Sequence, residues 1–160
     1  MQIDQRAWIV TSYGIPSLKD GEPIVYPVTF ANTGKTVAKH VEGFVFVTPV
    51  KYDDTPTFEY GPGVAHLRTT LRTGLLTPSN PISAQFAAVK QDTSVLTPIL
   101  ATEELRNEIE AGKSLVIVYG KMTYDDVFGV KHWLHFCAGY GSSMTNAGAK
   151  CTAYNDTDGD

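Results

Sequence analysis

The sequence predicts a mostly β chain, an antiparallel Greek-key β-sandwich of about seven strands with one short helix near 102–111. Three observations carry this. Apolar and polar residues alternate with a period of two through most ordered-looking stretches. The 14 Gly and 9 Pro among 160 residues divide the chain into short runs bounded by turns. No βαβ rhythm or internal repeat interrupts the succession of strands.

The first strand is expected over 7–13 (AWIVTSY), ended by Gly14 and Pro16. In EPIVYPVTFANTG (22–34), Ile24, Tyr26, Val28 and Phe30 fall on one face, while Pro27, which lacks a ladder donor, suggests an edge or a bulge. Residues 32–35 (NTGK) form a turn, since Asn and Gly accept positive φ. The run 37–50 is the longest extended segment, with Val41, Phe44 and Phe46 as core residues and Pro49 near its end. Between 51 and 81, Pro56, Pro62, Pro78, Pro81, Gly61, Gly63 and Gly74 weaken the pattern to loop, with a short helix expected around 66–73.

ISAQFAAVK (82–90) returns to strand. TEELRNEIEAG (102–112) is the one convincing helix: Thr102 caps it, Glu103 and Glu104 suit its positive end, Leu105 and Ile109 share a face, and Gly112 ends it. KSLVIVYGKMTY, DDVFG and VKHWLHFCAGY then give the strongest hairpin signal. KCTAYN (150–155) reads as a last strand. The plan resembles an immunoglobulin-like sandwich, one domain over 1–154, with an acidic, disordered tail at 155–160.

Composition excludes some functions. The net charge of −4 and the scattered Lys and Arg provide no groove for nucleic-acid phosphates. Apolar stretches such as LVIVY fall far short of the roughly 20 residues of a membrane span, and MQIDQRAWIV lacks the charged start and apolar core of a signal peptide.

The motifs that look reactive each have a plainer explanation. His132 and His135 resemble an H-x-x-H metal pair, yet on a strand that spacing points the rings to opposite faces. Asp125 and Asp126 resemble paired glycosidase acids, but adjacent residues on a turn diverge, and Asp favours turns. DTDGD at 156–160 matches only the opening of a calcium loop, and Asn155-Asp156-Thr157 fits an N-glycosylation sequon. No G-x-S-x-G elbow, Walker loop or Rossmann fingerprint occurs. A Ser142, Ser143 or Cys137 nucleophile with His135 as base would need adjacent strand residues to face each other. No catalytic, cofactor-binding or metal-ligating residue is therefore assigned. Tyr52, Phe58, Tyr60, Trp133 and Tyr140 are either core or an exposed platform for sugars or a peptide.

Cys137 and Cys151 are the only cysteines. They are either a disulfide closed by a hairpin loop that brings both onto neighbouring strands, or two buried thiols.

Four segments together resemble an uncharacterised bacterial family of small Ig-like β-rich domains, commonly preceded by an N-terminal membrane helix. They are Gln5-Arg6-Ala7-Trp8; NTGKTVA from Asn32 to Ala38; Gly120, Tyr124, Asp126, Phe128, Gly129, His132, Phe136 and Cys137 in one run; and Cys151, Tyr154, Asn155 and Asp156. The resemblance implies a soluble domain whose membrane anchor is absent from this chain, with no catalytic residues to carry over. The expected role is a non-enzymatic recognition or structural module of the bacterial envelope, its partner an unknown protein or small ligand. The alternatives are a small metal-dependent hydrolase assembled from His40, His66, His132, His135 and the aspartates, or a carbohydrate-binding module. A bonded cysteine pair would favour the oxidising side of the membrane.

Overall fold

The computed structural model describes residues 5–54, 56, 58, 70–90, 97–142, 151 and 154–158. Two antiparallel sheets share one apolar core. The first has the order β1-β2-β5, from Ile9–Tyr13, Val25–Asn32 and Ile82–Ala87. The second has the order β4-β3-β8-β9, from Thr70–Leu76, Ala38–Lys51, Ser114–Asp125 and Lys131–Tyr140. Two two-residue strands, β6 (Val89–Lys90) and β7 (Thr97–Pro98), pair beside them.

The period-two pattern of β2 works as expected: Ile24, Tyr26, Val28 and Phe30 are all buried. Phe30 meets Phe136 of the opposite sheet edge-on, with ring centroids 5.6 Å apart. Pro27 does not mark an edge, because β2 is the central strand of its sheet. Pairing with β1 stops at Tyr13↔Val28, so the missing N–H falls beyond the ladder, where Gly14 N donates to Pro27 O at 3.0 Å. In β3, Val41 and Phe46 are buried and Phe44 half-buried, while Val45 and Val47 add core residues that the sequence reading omitted.

Residues 70–73, expected to be helical, are the start of β4, which pairs with β3 from Leu76↔Ala38 to Thr70↔Phe44. Cross-strand pairing on an available edge overrides weak local propensity there. Residues 66–69 lie outside the described residues.

Helix α1 spans Glu103–Glu110, with Thr102 Oγ1 accepting the Leu105 N–H at 3.1 Å, and Ile109 buried. Glu108 fastens it to β3 and β8, accepting from Lys51 Nζ and from Ser114 Oγ at 2.8 Å.

The run LVIVY in β8 is apolar on both faces because both are covered. Val116 and Val118 enter the main core; Ile117 and Tyr119 join a second cluster with Phe46, Cys137 and Cys151 on the outer side of the sheet. At Gly120 a Cβ would overlap Phe44 O and the Phe136 ring. Gly120→Ala is therefore expected to destabilise the fold by about 2 kcal/mol, read as a lower urea midpoint at unchanged slope.

Candidate functional site

The reactive-looking side chains gather at the β8–β9 hairpin. Asp126 opens the turn: its N–H donates to Val130 O at 3.0 Å, and its own carbonyl accepts the Gly129 N–H at 3.1 Å. Gly129 takes φ of 79°, a left-handed conformation suited to glycine. The Asp126 carboxylate serves two ends. Oδ1 accepts the amides of Phe128 at 2.8 Å and Val130 at 2.9 Å, as expected of a turn Asp. Oδ2 faces His132 Nε2 at 3.0 Å.

His132 is buried, 5% exposed, with its ring tilted against Tyr124. Its second nitrogen, Nδ1, faces Asp158 Oδ2 at 2.6 Å. Each ring nitrogen thus has a carboxylate oxygen within hydrogen-bond reach. Asp158 Oδ1 in turn takes Arg6 Nη2 at 2.6 Å, and the Arg6 guanidinium lies 4.1 Å over the Trp8 ring. The result is a connected chain, Asp126, His132, Asp158, Arg6, with side chains 6%, 7%, 20% and 13% exposed. Burial pushes the Asp126 and Asp158 carboxyls up, but it is outweighed. The His132 hydrogen bond, amide N–H groups and cationic neighbours hold both below the usual carboxylate range.

The segment expected to be a disordered tail is instead held along the free edge of β9 over 155–158. Leu134 bridges Thr157, and the His135 N–H donates to Asp156 O at 2.9 Å. Asn155 accepts the Cys137 N–H at 3.0 Å and donates to Cys151 O at 2.8 Å. An unpaired strand edge is satisfied by whatever backbone can reach it, and the acidic composition of the tail concealed that partner. Asp156 and Asp158 spend their carboxylates on His135 and His132 rather than converging as a calcium loop. The sequon amide of Asn155 is likewise engaged at both ends.

Cys137 and Cys151 are joined by a disulfide, with Cα atoms 5.2 Å apart. Their pairing does not come from neighbouring strands: Cys151 lies in a helical turn, so KCTAYN does not form the expected strand at that residue.

Among the described residues the histidines do not converge. His132 faces the inner side of the sheet and His135 the outer, as the pleat requires, where His135 stacks on Tyr154 at 4.4 Å. His40 pairs with Asp125 at 2.8 Å, and His66 lies outside the described residues. Among the described residues no group of three His, Cys, Asp or Glu is arranged to hold one metal ion. Of the aromatics expected as a platform, the described ones divide between two sides of the sheet. Tyr140 packs on the main core, Phe58 stacks on Tyr154, and Trp133 lies on the outer face beside His135. Tyr60 lies outside the described residues.

Chemically, this arrangement is a histidine flanked by acids, with no nucleophile beside it among the described residues. Cys137 is bonded to Cys151, and the Tyr124 hydroxyl donates to Ala7 O at 3.0 Å. Sequence reasoning missed Asp126–His132 because it weighed spacing along the chain instead of pairing across the hairpin. The D-x-x-G turn sets Tyr124 opposite His132, which leaves Asp126 and His132 as neighbours on one face.

No protein-family model and no curated protein matches the chain. Among solved structures it is similar to "Crystal structure of Spo0M, sporulation control protein, from Bacillus subtilis", at 18% identity and a TM-score of 0.33, over 81% of this chain and 47% of that one. The chain thus spans about half the length of that protein. At that TM-score the likeness assigns neither fold nor function.

Proposed function

We propose that the chain is a non-enzymatic recognition or structural module of the bacterial cell envelope, built as an immunoglobulin-like Greek-key sandwich. In its full-length form it is tethered by a preceding membrane helix. One observation carries the non-enzymatic reading: the acid and base side chains at the hairpin are spent on one another. Both His132 ring nitrogens are engaged by carboxylates, and both Asp126 oxygens already have hydrogen-bond partners.

The sandwich reading is supported by connections that change sheet from β2 to β3, back from β4 to β5, and again towards β8. The Cys137–Cys151 bond supports an oxidising compartment. No helix among the described residues is long and apolar enough to cross a membrane. The partner is a protein or small ligand, not a nucleic acid.

Elemental analysis of the purified protein is expected to find no stoichiometric zinc or copper. Stoichiometric metal that disappears in His132→Ala would replace this reading with the metal-dependent hydrolase.

A further inference from the structure

The tip of the β8–β9 hairpin is absorbed by neither the core nor the ion chain. Val127, Phe128 and Val130 are 36%, 49% and 52% exposed, three large apolar side chains on a four-residue stretch that polar residues would serve as well. The tip is rigid at its base, since Asp126 binds the Phe128 and Val130 amides and is itself fixed by His132.

Beneath it, one row of cross-strand pairs runs from Leu75 to Lys39 to Asp125 to Lys131. Leu75 is 56% exposed. Lys131 Nζ lies 3.2 Å and His40 Nδ1 2.8 Å from the Asp125 carboxylate. Two lysines against one carboxylate leave this rim cationic whatever the state of His40. The tip is therefore a convex apolar point backed by positive charge.

We propose that this tip docks on an anionic lipid surface. Phe128, Val127 and Val130 enter the boundary between headgroups and acyl chains, and Lys39 and Lys131 meet the lipid phosphates. The charge of the rim selects lipid over an apolar protein groove: apolar burial and attraction to anionic headgroups are the two contributions that hold peripheral proteins on bilayers. A preformed tip loses little conformational freedom on insertion. The proposed envelope role enters only in the choice of a bacterial-type lipid.

Co-sedimentation of the intact protein with vesicles of phosphatidylcholine alone, or of phosphatidylcholine with phosphatidylglycerol, tests this. Binding is expected to the second and to fall with added salt. Phe128→Ser is expected to weaken it roughly tenfold or more, and Lys39→Gln with Lys131→Gln to remove the preference for phosphatidylglycerol. All variants are surface changes whose folding is checked by circular dichroism. Absence of binding to anionic vesicles, or binding indifferent to Phe128→Ser, overturns the proposal. So does a Phe128-dependent dimer by light scattering without vesicle binding, which would assign the tip to a second copy. None of these outcomes bears on the metal analysis, so the non-enzymatic reading stands or falls separately.

Discussion

His132→Ala is expected to lower the unfolding free energy by about 3 kcal/mol, measured by urea denaturation near neutral pH. The imidazole joins two carboxylates, and removing it leaves Asp126 buried without that partner and Asp158 with Arg6 and the Trp133 amide. The figure sits at the lower end for a broken buried pair because the Asp158 side chain keeps 20% of its surface in water. The same geometry sets a pH dependence. Both carboxyls are held below their ordinary range when folded, so folding favours their ionised forms. Their contribution is present above the unfolded value of about 4 and is lost as pH falls through the depressed folded values. Asp126→Asn retains an acceptor for the turn amides but removes one titrating group. It is expected to flatten the acid limb of the stability curve and to be less damaging at neutral pH than His132→Ala.

Replacing both Cys137 and Cys151 by Ser is expected to cost about 3 kcal/mol, the loop-closure contribution for a bond spanning 14 residues of sequence. The loss reaches further than the second apolar cluster. Asn155 ties the Cys137 and Cys151 backbones together, and Asp158 follows three residues later, so the bond holds the segment that supplies half of the clamp on His132. Combined with His132→Ala, the two losses are expected to sum to less than their separate values, because each releases the same segment. Additive urea results would mean that the disulfide and the ion chain hold independent regions.

The strands that alternate cleanly, β2 above all, were legible because one-sided burial forces a period of two, and α1 was legible because its cap and its apolar face agree. β4 was not, since TLRTGLL has little strand character of its own and acquires its conformation from β3. The partner of β9 was less legible still. Ladder bonds to 155–158 depend on a loop return that no local pattern encodes, and the acidic tail looked solvated when its aspartates were reserved for His132 and His135. At the hairpin the sequence held both halves of Asp126–His132, and only cross-strand register joins them. The opposite orientation of His132 and His135 followed directly from the pleat.

The central claim is that residues 155–158 are a fixed part of the fold, clamped on β9 through His132 and the disulfide. Amide hydrogen exchange tests it most directly, because alternate residues of β9 face different partners. Among the described residues, the N–H groups of His135 and Cys137 are covered by Asp156 O and the Asn155 side chain. The account predicts that both are protected to within about tenfold of core amides in the paired strands β8 and β9, and that His132→Ala lowers their protection selectively. Exchange of His135 and Cys137 at the rate of open-chain amides in the wild-type protein would contradict it.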